Sequence, residues 1–293
     1  MTAAATPRQA ITSFFSRKPW LRLGILLSAP LAWLGVAYLG ALAALFVTAF
    51  WRTDGFTGQV VVDWSLDNFR TLVTGDVYRA ITVRTVGIAA GVTVIDAVIA
   101  FPMAFAMAKL VSGRMRRLLV IAVMMPLWAS YLVKAYSWRV MLAGDGVVHW
   151  LLRPFGSDSP GYGLPATVMT LSYLWLPYMI LPIYAGLDRL PDSLLDASSD
   201  LGARSWRTFR SVVLPLTFPA VVAGSIFTFS LTLGDYLTVK IVGGASQLLG
   251  NLVYDNIGTA NDLPFAATVA TVPVLIMFGY LAVVRRTGAL DTV

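Results

Sequence analysis

The chain has no cysteine among its 293 residues and a single histidine, His149. Without thiols there is no disulfide framework, no thiolate metal site and no cysteine nucleophile, and one imidazole cannot build a metal centre or a Ser/His constellation by itself. A phosphate-cradling loop of the form Gly-x-x-x-x-Gly-Lys-Ser/Thr is also absent, so any work done with nucleotide falls to another chain. Charge is scarce: 13% of residues are charged against 57% apolar. The net charge of +7 is not gathered on one periodic face or in a tail, which argues against nucleic acid as a partner. The basic residues stand instead at the ends of apolar runs.

Those runs are what the chain does have. Stretches of about 20 apolar residues, enough to cross a ~30 Å hydrocarbon core, recur along it. The pattern predicts an all-α, polytopic membrane protein with six transmembrane helices, near 23–50, 83–108, 118–135, 165–186, 218–237 and 265–284. Residues 1–22 read as a basic arm retained ahead of the first helix, 23–286 as the membrane domain and 287–293 as a tail. Trp20 and Trp51 suit interface anchors, as does the cluster Trp128, Tyr131, Tyr136 and Trp138 at the end of the third span. The polar stretch 52–82 has room for a short helix. Gly87 and Gly91 have the spacing that lets two helices approach closely. Pro177 and Pro182 are expected to break the fourth span.

An even number of spans puts both termini on one side, and basic residues decide which side faces the cytoplasm. With the termini lie Arg8, Arg17, Lys18, Arg22, Lys109, Arg114, Arg116, Arg117, Arg189, Arg204, Arg207, Arg210, Arg285 and Arg286. Opposite them are only Arg52, Arg70, Arg79, Arg84, Arg139, Arg153 and Lys240. Both termini and the loop 190–215 are therefore expected to be cytoplasmic.

That loop, LPDSLLDASSDLGARSWRTFRSVVLP, is too long and too patterned for a plain connector. Pro191 suits the first helical position, and Asp192 and Asp196 suit the positive end of a helix dipole. Gly202 offers a left-handed stop. Ser205 can cap a second helix bearing Trp206, Phe209 and Val213 on one side. The spacing resembles the EAA loop in the permease subunits of bacterial binding-protein-dependent ABC importers. In that pattern Glu-Ala-Ala is followed by three residues, Gly, nine residues, an aliphatic, one residue and Leu-Pro. Asp196, Ala197, Gly202, Val212, Leu214 and Pro215 fit it, with Asp196 in place of Glu and Ser198 in place of Ala. Phe101-Pro102-Met103-Ala104-Phe105-Ala106, Pro126 to Lys134 with Tyr136 and Trp138, Leu176-Pro177-Tyr178, Gly234-Asp235-Tyr236 and Pro264 to Ala267 are similar to the spermidine/putrescine branch.

The resemblance implies a type I ABC importer permease fold in the bacterial inner membrane. It implies a coupling element of Leu195, Asp196, Ala197, Ser198, Gly202, Leu214 and Pro215 that docks into a groove on an ATP-binding subunit. It implies two such subunits, a second permease subunit that in this branch is commonly a different chain, and an external solute-binding protein. The chain itself would be no enzyme and hold no cofactor; ATP and Mg belong to the partner ATPase. The cargo would be a polyamine or related organic cation.

Within the spans, Asp96 and Asp235 are the informative residues, since an Asp at a helix centre costs roughly 2.5 to 3.5 kcal/mol on insertion scales. Asp96, midway along its span, reads either as a polar site or as an interhelical or inter-subunit hydrogen bond. Asp235 falls near the external mouth. With Tyr236, Trp175 and Tyr178 it would supply charge and cation–π attraction to a cationic solute, unless those aromatics are packing residues. Lys134 argues against a purely anionic path unless it snorkels. The alternative class is an ion-gradient-driven carrier using Asp96 and Asp235 as a relay, which should show inverted repeats; no such self-similarity is visible.

Overall fold

The computed structural model describes residues 19–286; the basic arm, apart from its last few residues, and the C-terminal tail lie outside it. The first span is assembled from α1 (Pro19–Trp33), a π-helical turn (Leu34–Leu39) and α2 (Gly40–Thr48). Its N-terminal part leaves Leu26, Trp33, Val36 and Tyr38 exposed, as side chains facing lipid would be, while α2 packs on the last span and Thr268 donates to the Ala49 carbonyl at 2.9 Å. Beyond it a two-stranded antiparallel ribbon, β1 (Arg52–Thr53) with β2 (Val60–Val61), leads to the short helix α3 (Asp67–Thr74). Trp51 is half-buried at this junction, where Asn68 donates to its carbonyl at 2.8 Å.

The second span, α4 (Asp76–Phe105) with a π-turn at Ala106–Leu110, packs with α8 (Leu164–Asp188) and α11 (Leu214–Leu233) as the central three-helix unit. Small residues set the approach of α8 to α11. A Cβ built on Gly186 would lie 2.6 Å from Ala220 Cβ, and one on Gly224 would lie 2.7 Å from Met179 Sδ. Gly87 and Gly91 do not play this part: a Cβ on either meets open space. They belong to the outer face of α4, where Val83, Val94 and Val98 are exposed.

Three further expectations are corrected. The third span is not a straight helix over 118–135. α5 (Gly113–Trp128) stops at Ala129 and Ser130, both extended, and the chain turns by 94° into α6 (Tyr131–Met141). Among the described residues five helices are long and apolar enough to cross a membrane, and this bent pair makes the sixth candidate. Pro177 and Pro182 do not break α8, which runs continuously through both; packing from α4 and α11 holds the helix where proline removes a backbone donor. α11 ends at Leu233 rather than 237, and the chain re-forms as the short helix α12 (Leu237–Val242).

Between α6 and α8 lie α7 (Val147–Leu152) and a 3₁₀ turn (Arg153–Phe155); α13 (Leu249–Gly258) follows α12 and packs on the last span, α14 (Leu263–Arg286). At the opposite end, α9 (Asp192–Asp200), α10 (Ser205–Thr208) and a π-turn (Phe209–Val213) run directly into α11. The π-turn falls immediately before Pro215, whose missing N–H frees a carbonyl in the preceding turn.

Candidate functional site

At the hairpin end, Pro191 is extended and Asp192 opens α9, so the proline precedes the helix rather than starting it. Arg204, not Ser205, occupies the cap position of α10, and no side chain caps it. Gly202 takes φ +75°, the left-handed turn its place in the sequence suggests. Around it the Ala203 amide donates to Ser198 O at 3.1 Å and the Gly202 amide to Ser199 O at 2.8 Å, satisfying the open carbonyls of α9. Ser198 and Thr208 hydroxyls meet at 2.9 Å and tie α9 to α10.

The hairpin has an inner and an outer face. Leu195 and Phe209 pack inward on Met107, Ala108, Ile183, Leu187, Leu190 and Val213. Trp206 stacks on Phe209 at 5.4 Å, and Phe209 meets Phe101 edge-on at 5.3 Å. Asp196, Ala197, Gly202 and Pro215 are exposed, and Leu201 and Trp206 are 88% and 70% exposed. Ser198 and Leu214 are half-buried. Two cations anchor the base. Lys109 Nζ donates to Leu190 O at 2.6 Å and to Asp192 Oδ1 at 2.7 Å, while Arg116 reaches Asp188 Oδ1 and Ala108 O, each at 2.9 Å. The hydrogen bond from Lys109, and then its charge, hold the Asp192 carboxyl below the usual carboxylate range.

Within the spans, Asp96 is fully buried and faces Ser172 of α8, yet neither carboxylate oxygen has a hydrogen-bond partner of ordinary length among the described residues. Ser172 Oγ, Trp175 Nε1 and the hydroxyls of Thr228 and Thr232 are likewise buried and unpartnered. Thr85, Thr93, Thr170 and Thr217, by contrast, bond back to their own helices in the ordinary way. The central unit therefore holds a set of unspent polar groups on α4, α8 and α11. The hydroxyls were legible as Ser and Thr inside apolar runs; that they lack partners was not.

Asp235 is not presented to an open mouth. It is 7% exposed, and its carboxylate accepts the Tyr131 hydroxyl, the Thr238 amide at 2.9 Å and the Thr238 hydroxyl at 3.2 Å. It thus fastens the start of α12 to the start of α6. Tyr131, expected only as an interface aromatic, lies 5.9 Å from Trp175, which lies 5.9 Å from Tyr178, which reaches Phe227 at 6.5 Å. Asp235, Trp175 and Tyr178 are thus joined through Tyr131, and Ser172, one turn before Trp175 on α8, faces Asp96 of α4. Tyr236 turns elsewhere: its ring stacks on Tyr254 at 5.0 Å, with Lys240 3.8 Å from the Tyr254 centroid. Lys134, on α6, is half-buried.

A bundle of apolar helices bearing an exposed helix–Gly–helix hairpin at one end defines a membrane transport subunit of the ABC importer kind. The chain belongs to the family described as binding-protein-dependent transport system inner membrane component, which matches residues 88–286. It is 45% identical over 296 residues to the inner membrane ABC transporter permease protein YdcU of Escherichia coli, covering 96% of this chain and 94% of that one. It is 30% identical over 211 residues to the spermidine/putrescine transport system permease protein PotB of Haemophilus influenzae, covering 70% and 73%.

Among solved structures, the fold is similar to a bacterial ABC transporter involved in import of the acidic polysaccharide alginate. The TM-score is 0.64 at 16% identity, covering 94% of this chain and 99% of that one. The alginate transporter in complex with its alginate pentasaccharide-bound periplasmic protein gives a TM-score of 0.68 at 16% identity, covering 94% and 97%. The type I importer permease fold is thereby established, and the ion-gradient carrier has no finding in its support.

Proposed function

We propose that this subunit moves a small organic cation of the polyamine type from an external solute-binding protein into the cytoplasm, driven by ATP-binding subunits that dock on the 190–215 hairpin. The observation that carries the docking part is the hairpin itself. Gly202 in its left-handed turn sets α9 and α10 side by side, leaving Asp196, Ala197, Leu201 and Trp206 facing outward. A surface of small side chains flanked by exposed Leu and Trp suits close seating in a groove of another protein. Leu195 seats the hairpin on the bundle, Ser198 ties α9 to α10, and Leu214 and Pro215 open the helix that carries hairpin movement into the fifth span. The excess of basic residues at this end supports a cytoplasmic location for it and for both termini.

The cargo part draws on the PotB relatives and on the Tyr131, Trp175 and Tyr178 rings, whose faces attract a desolvated cation. Asp96 is the acidic group of this path, Asp235 fixes Tyr131 in it, and Tyr236 stands at its edge. A second permease subunit, of a different sequence, completes the path. The test is recovery of the complex from native membranes in mild detergent, followed by reconstituted uptake of labelled putrescine and spermidine. ATP-dependent uptake together with retention of an ATP-binding subunit is the expected result. An intact complex containing no ATPase would overturn the docking assignment, and uptake of neither polyamine would overturn the cargo.

A further inference from the structure

The two cations at the base of the hairpin do more than neutralise nearby acids. Lys109 lies in the π-turn that ends the second span, and its side chain is only 9% exposed. A desolvated ammonium is costly unless paired and hydrogen-bonded; here its partners are the Leu190 carbonyl and the Asp192 carboxylate, both across the elbow from α8 to α9. Arg116, in the first turn of α5, spans its own elbow through Ala108 O at 2.9 Å and Val111 O at 3.3 Å, and crosses to Asp188 at 2.9 Å. Asp188 is the last residue of α8 and Asp192 the first of α9. The elbow joining the second and third spans is thus pinned to both ends of the elbow that feeds the hairpin.

The connection matters because the chain offers no direct covalent route from the hairpin to those two spans. By sequence, α9 pulls on α8 and α10 pulls on α11. Among the described residues the contacts of Lys109 and Arg116, the apolar layer of Met107, Ala108 and Leu195, and the edge-on pair of Phe209 with Phe101 join it to α4 and α5. Apolar contacts are non-directional and allow sliding. Hydrogen bonds from a buried ammonium and a forked guanidinium fix a register.

We infer that Lys109 and Arg116 are positioning residues of the transport cycle, transmitting movement of the hairpin to the second and third spans. The inference rests on the docking role proposed above. A hairpin without its cross-pin still presents Asp196, Ala197 and Leu201 to an ATPase, so docking persists while displacement of α4 and α5 is lost. ATP is then hydrolysed with less solute moved.

The test uses the full transporter with its ATPase and binding protein, reconstituted in proteoliposomes. ATPase retention, solute moved per ATP, and the KM and maximal rate of uptake are measured for wild type, Lys109→Gln, Lys109→Arg and Asp192→Asn. For Lys109→Gln, retention should match wild type and KM should be unchanged. Solute moved per ATP should fall by about five- to tenfold, in the range of ordinary coupling free energies. Lys109→Arg should recover part of the loss. Asp192→Asn, which alters an exposed partner and leaves the fold intact, should give a smaller loss of the same kind. An unchanged ratio in both Lys109→Gln and Asp192→Asn overturns the inference. So does a loss confined to ATPase retention, which would make the pin a docking element. A wild-type complex that retains no ATPase fails the docking role itself, a result read before any variant is compared.

Discussion

Gly186 and Ala220 meet where the fourth and fifth spans cross, so closely that a Cβ on Gly186 would stand 2.6 Å from Ala220 Cβ. Both belong to helices of the central unit, and neither neighbour has a flexible end that can swing aside. The α8–α11 contact is therefore set by the absence of one methyl group, as small residues commonly do where helices pack in lipid.

Gly186→Ala should consequently destabilise the folded subunit by about 1–3 kcal/mol, the usual range for overpacking. Gly87→Ala, on the open face of α4, serves as the control and should raise stability by up to about 1 kcal/mol, the helix-propensity gain of Ala over Gly. Thermal unfolding of the two variants in the same detergent makes the comparison. Equal melting temperatures would mean that the crossing gives way more easily than its geometry implies.

The Asp235 carboxylate satisfies a free amide at the start of α12 and holds the Tyr131 hydroxyl. Loss of a capping acceptor costs about 0.5–2 kcal/mol. Asp235→Ala is expected to show a loss of that order, and in a double-mutant cycle with Tyr131→Phe the two losses should be non-additive, because they remove one shared contact. An Asp235 acting on cargo by its charge would instead raise the KM for a cationic solute more than for a neutral one. With the carboxylate engaged inward, Asp235→Asn should affect both alike.

Asp96 presents the reverse case, a fully buried carboxyl that faces Ser172 and has no hydrogen-bond partner of ordinary length among the described residues. A side chain kept against its own stability points to use elsewhere in the cycle. Asp96→Asn should raise the melting temperature, by about 2–4 °C for each kcal/mol relieved, while lowering the maximal rate of uptake. A fall in both quantities would show that Asp96 is an ordinary structural partner.

The Asp192 carboxyl titrates below its ordinary range in the folded chain, chiefly through the Lys109 hydrogen bond. The sign follows directly: protons bind the unfolded chain more readily than the folded one, so the contribution of the pair is present above the ordinary carboxylate range and is lost as pH falls through the depressed value. Acid unfolding of wild type should therefore be steeper than that of Asp192→Asn in the acidic limb, with the two curves parallel at neutral pH. Melting temperatures followed across the acidic range read this out.

The spans and the hairpin were legible because each is written locally. Apolar runs have a length that only a membrane explains, and Gly202 and Pro215 mark where helices must turn or loosen. The 94° turn between Trp128 and Tyr131 was not legible, since the apolar run continues across it and hydropathy carries no direction. Nor was the inward role of Asp235, because Tyr131 lies 104 residues away in sequence. The partners of Lys109 are 81 and 83 residues distant. A basic residue at a span end reads as a topological signal, and only the folded chain distinguishes it from one that pins two elbows together.

Gly202 offers the sharpest test of the hairpin. Its φ of +75° is one that L-residues with a Cβ adopt at a penalty of roughly 1–2 kcal/mol, and that asparagine tolerates better than β-branched residues. A Cβ there meets nothing within 4 Å, so any effect of substitution comes from the backbone rather than from a clash. Gly202→Val should turn α10 away from α9, leave the protein inserted, and abolish both ATPase retention and uptake. Gly202→Asn should keep most of both. Retention by the Val variant at the wild-type level would place docking somewhere other than this turn, whereas equal failure of Val and Asn would mean that the partner reads the glycine surface itself rather than the angle it permits.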